Sequence, residues 1–261
     1  MKIIKTLFLL LLCTAAFAQK KELPEDVVAS IKSRIEFGLT PSIVVGIIDK
    51  DGMHFYSFGT KTVGGEPVDE HSIYEIGSIS KTFTATLLAD NIVKGKMKVD
   101  DPISKYLPAS VKVPTYKGGG PPITLGHLSD HTSSMLRMPT NMPESDPTDP
   151  AADYTPELMY AFLSSYELPR EVGSEYEYSN FAVGVLGQIQ ALVAGTSYEE
   201  ALTSVIKKKK KMKETAITLS PKMKENLAVG HSMGMPVNNW DLNAMQGAGG
   251  IRSSAHDMLL Y

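Results

Sequence analysis

Residues 74–84 read YEIGSISKTFT and carry Ser78 and Lys81 three positions apart, where a helix is predicted to begin. The helix is expected to run from residue 78 to 94, with Gly95 as its cap. Residues three apart share one helix face, so both side chains are expected to point the same way. A serine hydroxyl needs a base to act as a nucleophile, and a partly desolvated lysine can serve. The pattern therefore indicates a nucleophilic serine with a lysine beside it.

A second serine and lysine with this spacing, Ser204 and Lys207, show that the spacing alone is weak evidence. A chain of this length should contain roughly one such pair by chance. This pair lies at the far end of a predicted helix and leads into five consecutive lysines, residues 207–211. Cations suit a helix C-terminus, so we interpret the run as a solvated helix end and not as a membrane or polyanion patch.

The triplet Tyr178-Ser179-Asn180 precedes a helix predicted over residues 180–194 and closed by Gly195. A tyrosine with cationic neighbours can have a lowered pKa and relay protons. An asparagine amide can both donate to and accept from a substrate amide. By itself the triplet is more typical of a turn and a helix N-cap.

An alternative nucleophile is Ser232, because residues 230–234 match the pattern GxSxG of α/β-hydrolases. Asp241 and His256 follow in the chain order that this class requires. However, the pattern needs a buried strand before the serine and a helix after it. The apolar segment at residues 227–229 is short, and the residues that follow suit a loop. An α/β-hydrolase is therefore our last alternative.

Composition describes an ordinary globular protein. The 261 residues are 43% hydrophobic and 21% charged, which fits one large domain or two small ones. The formal net charge of −3 gives no reason to expect nucleic acid as a partner. No run of 18 apolar residues is present, so no stable membrane insertion is expected once a signal peptide is removed.

The first eighteen residues are typical of a signal peptide. Lys2 and Lys5 supply the positive start, residues 6–12 are apolar, and residues 16–18 read Ala-Phe-Ala. We predict cleavage after Ala18 and a secreted or periplasmic protein. Cleavage would remove Cys13, the single cysteine, so no disulfide is expected. The six histidines lack metal-ligand spacing, and no metal site is predicted.

Other local signals complete the predicted elements. A helix is expected over residues 24–37, and a hairpin with strands at residues 42–48 and 53–58. Residues 138–153 predict a long irregular loop, and residues 155–164 a capped helix. Ser197 and Glu200 form a predicted capping box.

Together these stretches resemble the serine β-lactamase and penicillin-binding-protein superfamily, most closely its class C-like branch, from about residue 24 onward. The stretches that carry the resemblance are residues 74–84, 101–108, 131–133, 178–180 and 247–255. A tyrosine in the second motif points away from the class A branch. The resemblance implies an α/β (α+β) fold, with an antiparallel sheet flanked by helices and a mostly helical domain. After the signal peptide, residues 19–261 would form one domain, with residues 24–85 on the sheet side and about 86–245 mostly helical.

The resemblance also implies a mechanism. Ser78 would attack the carbonyl of a β-lactam, an ester or a peptidoglycan peptide, and Lys81 and Tyr178 would share the proton transfers. Asn180 would hold the substrate's amide side chain, the backbone N–H of Ser78 would supply half of an oxyanion hole, and water would release the acyl-enzyme. No cofactor or metal would be needed.

The sequence leaves several functions open within this resemblance. A β-lactamase is our first hypothesis, with a carboxylesterase or DD-peptidase of the same fold as alternatives. A non-catalytic copy that binds peptidoglycan or an acyl ligand is an alternative of another class. The oligomeric state is not predicted.

Two departures from the family pattern lead to further expectations. The third motif, a lysine or histidine followed by Thr-Gly, does not occur before Tyr261. We therefore expect a fragment of a longer gene product or a degenerate copy, without the C-terminal strands and poorly active alone. Ser134 stands where the family usually has glycine. If the backbone there is left-handed, serine costs ~1–2 kcal/mol.

Overall fold

The computed structural model describes residues 22–143, 145–207 and 211–261. The predicted signal peptide and residues 208–210 of the lysine run lie outside the described residues. Export and cleavage after Ala18 therefore stay predictions, as does the division into a sheet-side and a helical part.

The described residues form a mixed α/β fold of short antiparallel sheets and helices. The strands are β1 (Ser42–Asp49), β2 (Gly52–Gly59), β3 (Ile73–Glu75), β4 (Gly230–Ser232), β5 (Met235–Val237) and β6 (Arg252–Ser254). The helices are α1 (Glu25–Glu36), α2 (Ser80–Val93), α3 (Leu125–Ser129), α4 (Pro156–Ser165), α5 (Asn180–Ala194), α6 (Tyr198–Leu202), α7 (Pro221–Glu225), α8 (Gln246–Gly249) and α9 (Ala255–Leu260).

The described part of the chain contains three antiparallel strand pairs: β1 with β2, β3 with β6, and β4 with β5. The β1–β2 hairpin has Asp49 opposite Gly52 at its turn, as the sequence predicts. The β3–β6 pair joins distant parts of the chain, with Glu75 opposite Arg252. Because β3 leads into the turn before α2, this pair sets where α2 begins.

The predicted helices over residues 24–37, 155–164 and 180–194 are present. Thr155 and Ser179 cap α4 and α5 with their side chains, and Gly195 ends α5 in the left-handed conformation. The described part of residues 138–153 is irregular. In the described residues no single helix is long and apolar enough to cross a bilayer. Helix α5 and the segment Tyr198–Ile206 are long and apolar enough when taken together, but they are bent by 76° relative to each other.

The β4–β5 hairpin rules out the nucleophile elbow. Ser232 lies in a three-residue strand whose chain turns back at Met233 and Gly234 into a second strand, where a nucleophile elbow would continue into a helix. Ser232 is exposed. The α/β-hydrolase alternative is therefore wrong. The loop predicted after Ser232 is wrong where residues 235–237 form β5, whereas Asn238 and Asn239 are irregular as predicted.

The main core surrounds α5, which is buried along most of its length. On one side α5 approaches α8 closely. A Cβ atom added at Gly187 would lie 3.2 Å from the Cα of Gly247, tighter than most real Cβ contacts. The hydroxyl of Thr84 in α2 donates to the carbonyl of Gly247 at 2.7 Å. Helices α2 and α5 therefore both contact the backbone of α8 at Gly247.

Candidate active site

Ser78 lies in a 3-10 turn, Gly77–Ile79, that leads directly into α2. The turn is anchored to the segment before β6. The N–H of Ile76 donates to the carbonyl of Ile251 at 3.1 Å, and the N–H of Ile251 donates to Ser80 Oγ at 3.2 Å. Ser78 itself is exposed. The hydroxyl of Ser78 is thus presented to solvent from a turn anchored by hydrogen bonds.

The ammonium group of Lys81 donates hydrogen bonds to three acceptors. Its Nζ lies 3.2 Å from Ser78 Oγ, 2.8 Å from Asn180 Oδ1 and 2.6 Å from the carbonyl oxygen of Ala248. The shared helix face predicted for Ser78 and Lys81 is present. The side chain of Lys81 is therefore held beside Ser78 by α5 and α8.

Tyr178 also contacts Ser78. Its hydroxyl donates to Ser78 Oγ at 2.7 Å. The ring is flanked by two cations, with Lys81 Nζ 4.8 Å and Arg137 Cζ 5.0 Å from its centroid. The structure thus brings together all four residues singled out in the sequence, Ser78, Lys81, Tyr178 and Asn180.

The surroundings move the pKa values of both Lys81 and Tyr178 downward. Burial lowers the pKa of Lys81, and the charge of Arg137 lowers it further, while the interaction with Tyr178 acts in the opposite direction. Burial raises the pKa of Tyr178, but its interactions with Lys81 and Ser78 and the charges of Lys81 and Arg137 together outweigh burial, and the net shift is downward. Both groups can therefore exchange protons closer to neutral pH than their ordinary values allow.

A loop over residues 131–137 holds the second motif in place. Ser179 Oγ donates to the carbonyl of Leu136 at 2.6 Å, and the N–H of Asn180 donates to the carbonyl of Arg137 at 2.9 Å. The N–H of Ser179 donates to Nδ1 of His131 at 3.1 Å. Burial lowers the pKa of His131, and the charge of Lys81 lowers it further. The lowered pKa favours the neutral ring, in which Nδ1 can accept the hydrogen bond from Ser179.

Two residues of this loop have left-handed backbones. The φ angles are 66° at His131 and 60° at Ser134. The left-handed backbone considered for Ser134 is therefore present. Ser134 is buried, and its Oγ donates to the carbonyl of Arg170 at 2.9 Å and accepts from the N–H of Arg170 at 3.3 Å. These hydrogen bonds offset part of the backbone strain.

A cavity of about 440 Å³ opens beside Ser78. Its walls are mainly apolar, and they include Met138, Pro150, Ala151, Trp240, Leu242, Met245 and Ala248. Asn180 is a polar group in this wall, and its Nδ2 contacts the weak acceptor Sδ of Met138 at 3.4 Å. A small molecule with an apolar body and an amide carbonyl suits this cavity.

Arg252 fixes one wall of the cavity. Its buried guanidinium donates to the carbonyl of Trp240 at 2.6 Å and lies 3.3 Å from Glu75 Oε1 and 3.3 Å from Asp241 Oδ1. Glu75 in turn accepts from the N–H of Trp240 at 2.8 Å. Sequence reasoning missed this arrangement, because it depends on the register of β3 with β6. The only available signal was that Trp240 is the single tryptophan.

A comparison with known families decides the assignment. The family model described as Beta-lactamase matches residues 31–261. The chain belongs to the β-lactamase family. This β-lactamase-family chain is 30% identical to a D-alanyl-D-alanine-carboxypeptidase/endopeptidase, AmpH, of Escherichia coli, over 98% of its own length and 67% of the relative's. It is 28% identical to a beta-lactamase of the same organism, over 97% and 65%.

Solved structures confirm the fold and the class C-like resemblance. A class C beta lactamase from Rhodobacter sphaeroides matches with a TM-score of 0.75 and 28% identity, over 89% of this chain and 63% of that one. A beta-lactamase/D-alanine carboxypeptidase from Yersinia pestis matches with a TM-score of 0.76 and 27% identity, over 90% and 66%. This member of the β-lactamase family thus spans about two thirds of the length of these relatives.

Proposed function

We propose that this chain is a serine acyl hydrolase that opens β-lactams through an acyl-enzyme on Ser78. The observation that carries the proposal is the contact of Ser78 Oγ with two proton-exchanging groups, Tyr178 Oη at 2.7 Å and Lys81 Nζ at 3.2 Å. A serine so placed has both a base to take its proton and a second group to pass it on.

Acylation follows from this geometry. Ser78 Oγ attacks the β-lactam carbonyl while its proton moves to Lys81 or Tyr178, whichever is deprotonated. The oxygen of the tetrahedral intermediate faces the first turn before α2, where the N–H of Ser78 can donate. The C–N bond then breaks, and the ring nitrogen takes the proton from Tyr178 or Lys81. The product is an ester of Ser78 with the opened ring still attached.

Deacylation reverses the proton path. Water gives a proton to Tyr178 or Lys81 and attacks the ester carbonyl. The bond to Ser78 Oγ breaks, and Ser78 recovers its proton. The positive field of the α2 N-terminus favours the negative oxygen in both steps.

The substrate class rests on the cavity and on the relatives. Asn180 Nδ2 can donate to the carbonyl of an acylamino side chain, and the apolar wall with Trp240 can contact the rest of that side chain. The relatives are named as beta-lactamases and as a D-alanyl-D-alanine carboxypeptidase. We place β-lactams first and D-alanyl peptides or simple esters second. The signal-peptide prediction supports export to the periplasm or outside, where such substrates occur.

Covalent labelling tests the nucleophile. The chain is treated with a fluorescent penicillin and, separately, with a fluorophosphonate, and the adduct is located by peptide mass spectrometry. We expect an adduct on Ser78 that is lost in Ser78→Ala and kept in the matched control Ser232→Ala. An adduct on Ser232, or unchanged labelling of folded Ser78→Ala, would contradict the proposal.

Turnover separates the substrate classes. Hydrolysis of a chromogenic cephalosporin is compared with release of D-alanine from a D-alanyl-D-alanine peptide and with hydrolysis of a nitrophenyl ester. A cephalosporin rate that exceeds the other two supports the β-lactamase assignment. Saturable penicillin binding that survives Ser78→Ala, with no adduct on the folded chain, would instead indicate a non-catalytic binding protein.

A further inference from the structure

Three potential metal ligands, His71, Glu214 and His256, converge at the end of the β3–β6 pair. His71 precedes β3, Glu214 lies 143 residues further along, and His256 lies in the first turn of α9. Their nearest ligand atoms all lie within 4.8 Å of one another. The convergence arises because Ile73 pairs with Ser254, and Ala216 bridges to Arg252. No sequence spacing reveals it.

The three ligand atoms lie near the spacing that a small tetrahedral cation requires, but have yet to close to it. Zn²⁺ binds histidine nitrogen and carboxylate oxygen at about 2.0–2.2 Å, which separates tetrahedral ligand atoms by roughly 3.3–3.5 Å. His71 Nδ1 lies 3.0 Å from Glu214 Oε1, and the rings of His71 and His256 are 5.2 Å apart between centroids. The side chains of His71 and His256 are 46% and 37% exposed, so they are free to rotate. Small rotations can shorten the widest separation between ligand atoms, which is at most 4.8 Å.

The outer contacts resemble those that support metal ligands. Ser254 Oγ donates to Glu214 Oε2 at 2.6 Å. Nδ1 of His256 lies 3.4 Å from Oδ1 of Asp257, a carboxylate that is almost fully buried. The other oxygen of Asp257 accepts from the N–H of Glu214 at 2.7 Å. A carboxylate on one ring nitrogen orients a histidine so that its other nitrogen, here Nε2, is presented to the metal.

We propose that His71, Glu214 and His256 bind one divalent transition-metal ion, best Zn²⁺, with water in the fourth position, at a site that joins the start of β3 to α9. Two imidazoles and one carboxylate form a ligand set that selects zinc over Mg²⁺ and Ca²⁺, which prefer oxygen. The site lies before β3, whereas Ser78 follows β3, and none of the three ligands lines the cavity beside Ser78. The proposal is therefore independent of the proposed function.

Metal titration of the full chain without an affinity tag tests the site. Zinc is titrated against a chromophoric chelator, and thermal unfolding is followed with Zn²⁺, Mg²⁺ or EDTA. We expect one zinc ion per chain and a rise in Tm with Zn²⁺ only, since binding to the folded state alone stabilises it. Failure of zinc to bind, or equal effects of Zn²⁺ and Mg²⁺, would overturn the proposal.

Substitutions locate the ion. His71→Ala, His256→Ala and Glu214→Gln are each expected to weaken zinc binding by at least about tenfold, because even an outer contact contributes about that much. The matched control is His54→Ala, since His54 also pairs with a carboxylate, that of Asp49, but within the β1–β2 hairpin. If folded His71→Ala and His256→Ala bind zinc as tightly as this control, His71 and Glu214 form an ordinary ion pair and the proposal fails.

Chemical protection decides the question on the unsubstituted chain, so it does not depend on how variants fold. Diethyl pyrocarbonate modifies accessible imidazoles, and the modified residues are read by mass spectrometry. Zinc is expected to protect His71 and His256 and to leave His54 as reactive as before. Equal modification of His71 and His256 with and without zinc would overturn the proposal.

Discussion

The hydroxyl of Tyr178 donates a hydrogen bond to Ser78 Oγ at 2.7 Å, across 100 residues of sequence. Tyr178 comes from the segment before α5, and Ser78 from the turn before α2. The relative position of these two helices therefore sets the contact on which the proposed reactivity of Ser78 depends. The following predictions test this arrangement.

Removing either proton-exchanging group should slow acylation of Ser78. For Tyr178→Phe and for Lys81→Met we expect a fall of roughly 10²–10⁴ in the acylation rate, the usual contribution of a positioned acid or base. The rate is measured from a time course of labelling with fluorescent penicillin, quenched at successive times. Tyr176→Phe is the matched control, because Tyr176 is 67% exposed and two residues from Tyr178. A Tyr178→Phe variant as fast as this control would show that Tyr178 does not move the proton.

The pH profile of acylation should depend on Arg137. The charge of Arg137 lowers the pKa values of both Lys81 and Tyr178, so the rate should rise with pH and level off below the ordinary values of these groups. Arg137→Gln should move the profile to higher pH, because both pKa values then rise. The acylation rate is measured across pH at low ionic strength. An unchanged profile, matching that of the control Arg34→Gln on α1, would show that Arg137 has no such effect.

Backbone strain at Ser134 can be measured with a pair of variants. Ser134→Ala and Ser134→Gly both lose the hydrogen bonds to Arg170, but only glycine adopts a φ of 60° without steric cost. We expect the free energy of unfolding of the glycine variant to exceed that of the alanine variant by about 1 kcal/mol. Urea denaturation measures both. Equal stabilities would mean that the loop relaxes and carries no strain.

His131 should make the protein less stable in acid. Burial and then the charge of Lys81 lower its folded pKa below 6.5, so the unfolded chain binds more protons in the interval between the two values. This stabilising contribution is complete above pH 6.5 and is lost as pH falls toward the folded pKa. His71 acts in the opposite direction, because its raised pKa stabilises the fold at lower pH and this effect is lost as pH rises.

The variant His131→Asn isolates this contribution. Asparagine tolerates a left-handed backbone, and its Oδ1 can replace Nδ1 as the acceptor for Ser179. The free energy of unfolding of the unsubstituted chain minus that of the variant should rise with pH up to about 6.5. Urea denaturation at several pH values measures it. A flat difference would show that His131 does not couple to folding.

Local chemistry explains which elements the sequence predicts. The bounds of α5 follow from the Ser179 cap and from Gly195, and the common face of Ser78 and Lys81 follows from helix periodicity. The β4–β5 hairpin was missed because Met233-Gly234 lacks the Asn-Gly or Asp-Gly signal of a two-residue turn, although both residues have positive φ.

Long-range register explains what the sequence could not predict. The wall formed by Trp240 depends on Arg252 and Glu75, which lie 177 residues apart and meet only because β3 pairs with β6. The three-ligand cluster around His71 depends on the same pair. The acceptor that Ala248 offers to Lys81 is a backbone carbonyl, which no residue type signals.

The close approach of Gly187 to Gly247 gives the interior control over the chemistry. The residue after Gly247 supplies the carbonyl that holds Lys81, so the depth at which α8 rests on α5 sets the distance from the ammonium group to Ser78. A methyl group at Gly187 would require the backbone at Gly247, next to Ala248, to give way by a few tenths of an ångström. A substitution at Gly187 in the core is therefore expected to change the proposed acylation rate, although Gly187 does not line the cavity beside Ser78.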